Sequence, residues 1–211
     1  MNSIEKLKEL FMQLPGIGPR QAGRFVHFLL MRGGAWRSNF VELVQGLDSS
    51  VAQCDVCMRF FEKIEARPLS YKQCSICTNV QRDESKLLLV VSDVDIKNME
   101  KSGAYDGKYF VLGSLLNLRS SKTSYIRLNE LKKLVAKLHS TAVLSEIIFA
   151  LPTTPDGEHT SDVLQKELKE ICVDNDKNII KITMLGRGMS TGSEVEYADP
   201  ETLTNALKNR A

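Results

Sequence analysis

The sequence predicts a multi-part α/β protein: a helical N-terminal region, a small four-cysteine module, a parallel sheet with helices on its faces, and a C-terminal strand, loop and helix. Three observations carry that prediction. Apolar residues recur at helical spacing over positions 4–47; two Cys-x-x-Cys pairs stand sixteen residues apart, at 54–57 and 74–77; and from Lys86 onward short apolar runs alternate with amphipathic stretches. Strands alternating with helices imply a right-handed α/β sheet. With 43% of 211 residues hydrophobic, the chain can bury a sizeable core. Its net charge is only +2, so any affinity for a polyanion has to come from local clustering of Lys and Arg. The apolar run 87–91 is too short to cross a bilayer, and Glu5, Lys6, Lys8 and Glu9 break up any signal-peptide core. A soluble, intracellular protein is expected, without a membrane partner.

Ile4, Leu7, Phe11 and Leu14 define a first amphipathic helix, with Ser3 as its expected N-cap and Pro15 as its stop. The stretch Leu14-Pro-Gly-Ile-Gly-Pro-Arg20 then makes a tight turn in which Gly16 and Gly18 permit positive φ or close backbone approach. Pro19 opens a second helix, which buries Ala22, Phe25, Val26, Leu29 and Leu30 and ends at Gly33-Gly34. Its other face presents Arg20 and Arg24 one turn apart, with Gln21 and His27 nearby. A third helix is expected after Ser38, with Phe40, Leu43, Val44 and Leu47 on one face.

The pattern of helix, Gly-Ile-Gly turn and helix resembles a helix-hairpin-helix, a module that grips the DNA sugar-phosphate backbone without reading sequence. The physics supports such a grip: N–H groups at a helix start form an anion site, and an Arg on the first turn adds charge. Gly16, Gly18, Arg20 and Arg24 are the candidate DNA-binding residues. An ordinary helix pair with a solvated basic face is the alternative.

Cys54, Cys57, Cys74 and Cys77 have the spacing of a four-thiolate zinc site, each pair gripping one edge of a tetrahedron. With four protein ligands such a metal has no open position, so one structural Zn²⁺ is expected. Two redox-active pairs are the alternative, but a redox motif needs one pair, opening a helix after a strand. The fifth cysteine, Cys172, is expected to be merely buried, and the thiol usage fits a reducing cytosol. Between the pairs, Arg59, Phe60, Phe61, Lys63, Arg67 and Lys72 interleave charge and aromatics. Packing of a small module is favoured over a second nucleic-acid surface.

In the second half, strands are predicted at 87–91, 109–113, 146–151 and 178–185, and helices near 95–101, 128–139 and 161–171. Asp199 caps a last helix that starts at Pro200. Function in such sheets gathers at the C-terminal strand ends. There the chain carries Asp93 and Asp95 after the first strand, and Asp156 and Glu158 in a Pro-rich loop after the third. Carboxylates on two adjacent strand ends suit Mg²⁺, the layout of a Toprim domain. His159 beside Glu158 is expected to be an exposed loop residue. The glycines at 186, 188 and 192 are not a P-loop, because no Gly-Lys-Ser/Thr follows.

The order of these features resembles the RecR family of bacterial recombination mediators over essentially the whole chain. The matching stretches are 14–20, the four cysteines, 107–113, 152–160, and 187–199 with Thr202-Leu203. The resemblance implies four regions: 1–53 for DNA, 54–77 as zinc finger, 78–175 as Toprim-like domain, and 176–211 as oligomer contact. It further implies a non-catalytic, sequence-independent DNA binder that works with RecO and RecF to help load RecA recombinase at single-stranded gaps. Such proteins form homo-oligomers, often tetrameric rings, in the bacterial cytosol at the nucleoid. Their Toprim region is regarded as a partner platform, so Asp93, Asp95, Asp156 and Glu158 are candidates for a partner surface or a residual Mg²⁺ site. The runner-up function is a Mg²⁺-dependent Toprim enzyme that cleaves or joins phosphodiesters.

Three departures from the family stand out. Val91-Ser92 stands where a glutamate is usual, in a segment about one residue short. Residues 117–123 are basic where the family loop is acidic, and Ser190 replaces a proline. The fold is expected to survive all three.

Overall fold

A computed structural model describes residues 2–63, 72–118, 126–172, 179–186, 188–189 and 192–208. Arg67, Arg187, Ser190, the basic loop from 119 and the expected start of the last strand at 178 lie outside the described residues. The chain divides into two compact units, Met1–Ala52 and Gln53–Ala211.

The first unit contains α1 (Ser3–Met12), α2 (Pro19–Met31) and α3 (Gly34–Ser50). Asn2, rather than Ser3, caps α1: its Oδ1 accepts the Glu5 N–H at 2.9 Å. Phe11 meets Phe25 edge-on at 5.6 Å, and Ala22 and Val26 are buried. The Gly33-Gly34 pair separates two helices over a shorter gap than expected. Gly33 is extended (φ −62°, ψ 158°) and serves as N-cap of α3, which therefore starts four residues before Ser38. No residue of α3 is buried, so Phe40, Leu43, Val44 and Leu47 lie exposed.

In the second unit the main sheet contains β3 (Asp83–Val90), β4 (Gly107–Val111), β5 (Glu146–Ala150) and β6 (Lys181–Met184), all parallel in the order β4-β3-β5-β6. Before it, β1 (Val51–Gln53), which runs over the boundary of the two units, and β2 (Phe60–Glu62) flank the first cysteine pair, and the four-residue α4 (Ser75–Thr78) carries Cys77. The crossovers are α5 (Asp93–Ser102), α6 (Leu128–Ser140) and α7 (Pro155–Cys172); a 3-10 turn at Val195–Tyr197 precedes α8 (Pro200–Lys208).

Leu87, Leu88, Leu89 and Val90 are at most 1% exposed, as a strand covered on both faces requires. On one face Leu87, Leu89, Phe110 and Phe149 pack against α6 and α7 through Leu131, Val135, Leu164 and Leu168. The opposite face, with Leu88, Val90, Tyr109 and Val111, is covered by Ile96 of α5 together with Cys54, Cys57, Cys74 and Ile76. The cysteine module thus does the work of a second covering helix. Cys172 is buried in the first of these layers.

One correction concerns the acidic loop. Residues 155–160 are helical, because Pro155 suits a first helical position and Thr154 Oγ1 accepts the Gly157 N–H at 3.2 Å. Asp156, Glu158 and His159 therefore ride on the first turns of α7 instead of a loop. The turn is tight: a Cβ on Gly157 would lie 2.0 Å from the Pro152 carbonyl oxygen. Gly157→Ala will destabilise the protein by about 3 kcal/mol in urea unfolding, since a backbone carbonyl cannot swing aside. That exceeds the ~1 kcal/mol of helix propensity alanine adds. An unchanged midpoint would show that the turn relaxes.

A second lock joins the start of β3 to α5 and β4. Arg82 grips Glu100 with both terminal nitrogens (2.8 and 2.6 Å) and donates from Nε to the Gly107 carbonyl at 2.9 Å. Tyr109 OH donates to the same carboxylate at 2.6 Å. The Arg82 side chain is only 12% exposed, so losing its partner strands a nearly buried charge. The Arg82 hydrogen bond holds the Glu100 carboxyl below its usual 4.5, and the stability it confers is therefore full above about pH 4.5 and lost as pH falls through the lowered value. Glu100→Gln will cost about 2 kcal/mol at pH 7. The gap to the parent protein should narrow in unfolding curves taken below pH 4.5; a gap independent of pH would exclude this carboxylate as its source.

Candidate functional site

The metal-capable site is built by two turns that face each other. After the first pair the chain reverses through Met58, whose φ of +62° lets Cys54 N–H donate to the Arg59 carbonyl at 2.8 Å. In the second pair Cys74 stands as N-cap of α4 and Cys77 rides on it. All four sulfur atoms lie within 4.8 Å of one another, with Cys57–Cys74 at 3.5 Å and Cys54–Cys77 at 3.7 Å. Four sulfurs about 2.3 Å from a central Zn²⁺ form a tetrahedron with edges of about 3.8 Å. The residues fit such an ion. The Cys74 N–H also points at Cys54 Sγ, 3.4 Å away, as donors to a thiolate do.

Hydrogen bonding with Cys57 draws the Cys54 thiol far below its ordinary range. Cys74 falls to about 6, the bond with Cys54 pushing it up while those with Cys57 and Cys77 pull it down further. Cys57 and Cys77 are held well above, chiefly by their bonds to Cys54. A dication held by the four sulfurs would displace their protons. Among the described residues it is the one set of three or more side chains placed to hold a metal.

The four acidic candidates do not converge. Asp93 and Asp95 start α5, where Asp95 Oδ2 accepts the Ser92 N–H at 2.8 Å in a capping box. Asp93 Oδ1 accepts the Phe60 N–H at 3.1 Å; burial pushes its carboxyl up, against Phe60, Arg59 and Arg127. Asp156 Oδ1 accepts the Leu118 N–H at 3.1 Å. Glu158 lines a cleft of about 690 Å³ with Ser161, Asp162, Met184, Gly188 and Asp199. The strands that deliver the two pairs, β3 and β5, are neighbours as expected, yet these carboxylates serve separate local structures.

In the first unit the turn before α2 has the predicted form. Gly16 has φ +76°, Gly18 is the N-cap, and no side chain caps the helix start. Arg20 and Arg24 are both exposed, and with Gly23, His27, Phe28 and Met31 they line an open groove of about 470 Å³.

A family model described as "RecR, C-terminal" matches residues 188–211. Recombination protein RecR of Lactobacillus acidophilus is 32% identical over 98% of this chain and 96% of its own length. The chain belongs to the RecR family. Recombination protein RecR of Streptococcus thermophilus is 33% identical over the same shares, and that of Ureaplasma urealyticum 29% over 98% and 94%.

Sequence reasoning missed the residues that fasten the cysteine module of this RecR-family chain to its sheet. Lys108 Nζ donates to the carbonyls of Cys77 and Asn79 at 3.0 and 2.9 Å. Arg127 Nη1 donates to those of Met58 and Val111, both at 3.1 Å. Both look like ordinary solvated cations in the sequence. No spacing marks them, because their partners are backbone carbonyls 16 to 69 residues away. Among the described residues no helix is long and apolar enough to cross a membrane.

Proposed function

We propose that this RecR-family protein is a non-catalytic, DNA-binding recombination mediator in DNA repair, acting with RecO and RecF to help load RecA at single-stranded gaps. The observation that carries the reading is the exposed Arg20 and Arg24, one turn apart behind a Gly16 turn and an uncapped helix start. Such a surface binds phosphate without reading bases. Labour is divided among 1–53 (DNA), 54–77 (one structural Zn²⁺ on Cys54, Cys57, Cys74 and Cys77), 78–175 (a Toprim-like partner platform) and 176–211 (oligomer contact). Self-association is supported by the apolar residues that α3 leaves exposed, and its form as a tetrameric ring is what the family resemblance implies. The place of action is the bacterial cytosol at the nucleoid. A partner surface suits Asp93, Asp95, Asp156 and Glu158 better than a Mg²⁺ centre, since three of them are spent on backbone N–H groups.

The test is binding to labelled gapped DNA across a salt series with Mg²⁺ present, the DNA being examined afterwards. Intact DNA bound with a steep salt dependence supports the mediator. Cleaved or rejoined DNA, abolished by changing Asp156 and Glu158, would mean the Toprim-like half is an enzyme.

A further inference from the structure

We propose that the cysteine module is a metal-dependent cover for the open edge of the parallel sheet, so that loading of the four-thiolate site decides whether β4 is free to pair with another strand. This rests on the metal reading above. β4 is an edge strand. An uncovered edge presents N–H and C=O groups that template pairing with another chain.

Here the edge is closed at its C-terminal end. Leu112 N–H donates inward to the Val90 carbonyl of β3 at 2.9 Å, and its neighbour Val111 N–H donates outward to the carbonyl of Cys57 at 2.9 Å. The group that satisfies the edge thus belongs to a proposed metal ligand. Arg127 seals the Val111 carbonyl and ties it to Met58. Lys108 holds the second cysteine turn through the carbonyls of Cys77 and Asn79, and Asp93 holds the first through the Phe60 N–H. At the other end of the strand, the Gly107 carbonyl is taken by Arg82, from the Glu100 lock, which contains no cysteine.

The module has little of its own to keep this shape. Its described secondary structure is two three-residue strands and one four-residue helix, and among its described residues the buried ones are Cys54, Cys57, Cys74 and Ile76. So small an interior needs a metal to hold the two turns together. When the metal leaves, the Cys57 carbonyl is no longer held against Val111. The opening is local, because β3 keeps its inward bonds and Arg82 its grip.

The test is amide hydrogen exchange on the full chain, read residue by residue by NMR, with metal content measured in parallel. After a chelator strips the metal, Val111 should exchange on the order of 100-fold faster while Leu112 stays protected. The stripped protein should also self-associate beyond its loaded state in sedimentation. Arg127→Gln, with its metal retained, should speed Val111 exchange by about tenfold. Protein purified without metal would remove the metal reading and the cover with it. Metal-bearing protein whose Val111 stays protected after stripping would overturn the cover alone. So would Val111 and Leu112 losing protection together, since the module would then be an inseparable part of the sheet.

Discussion

With the proposed structural Zn²⁺ on the four cysteines, Cys57→Ala will prevent metal binding and leave the protein about 4 kcal/mol less stable, the stabilisation lost when a ligand present at a thousand times its dissociation constant is withdrawn. For a chain of this size that is a fall of about 10 °C in Tm. The effect is large because the Cys57 sulfur is buried in the cluster, 3.5 Å from that of Cys74, and without the metal the turn that presents its carbonyl to the Val111 N–H loses its anchor. Cys172→Ala is the matched control. That thiol is equally buried but sits among Leu164, Leu168 and Ile180, where its loss opens a small apolar gap and leaves the metal in place. Metal analysis and thermal unfolding of both variants check the pair. If Cys57→Ala melted with its parent, the four sulfurs would not be a structural metal site.

The double substitution Arg20→Ala with Arg24→Ala will weaken DNA binding about 100-fold at low salt, at about 1.5 kcal/mol for each charge-assisted phosphate contact. Its sharper signature is in the salt dependence. Two lost phosphate contacts reduce the slope of log K against log salt by about 1.8 on duplex DNA. Neither arginine makes a described hydrogen bond or ion pair within the protein, both side chains are exposed, and Ala22 and Val26 supply the helix's buried contacts. The fold should therefore be untouched, and circular dichroism should superimpose. Lost affinity with an unchanged slope would point to a helix disturbed elsewhere. Unchanged affinity and slope would put the DNA surface somewhere other than α2.

Much of this architecture is legible without coordinates, and the reasons are local. The four cysteines announce a metal-capable site because ligand spacing is set by the reach of two tight turns. The strand at 87–90 reads as doubly buried because it has no polar residue to show to water. Asp199 reads as an N-cap and is one, its Oδ1 accepting the Thr202 N–H at 2.9 Å. The errors are equally physical. Gly33-Gly34 marks the end of a helix as expected, but the next helix, expected only after Ser38, starts at once with Gly33 as its cap. Prolines around 152–155 suggest a loop, but Pro155 begins a helix.

What the sequence by itself determined is the set of parts: a helix pair around a glycine turn, a metal-capable four-cysteine cluster, alternating strands and helices, and family membership. Each of these is encoded within a few turns of chain, where periodicity and spacing carry the physics. What only the tertiary structure decided is how the parts are used. The four carboxylates could have met around a cation; instead Asp93, Asp95 and Asp156 satisfy backbone donors. Lys108 and Arg127 could have been solvated; instead they clamp carbonyls of the cysteine module to the edge of the sheet. Those outcomes depend on contacts between residues far apart in sequence, and a backbone carbonyl, which every residue carries, leaves no mark in the sequence of where its partner will be.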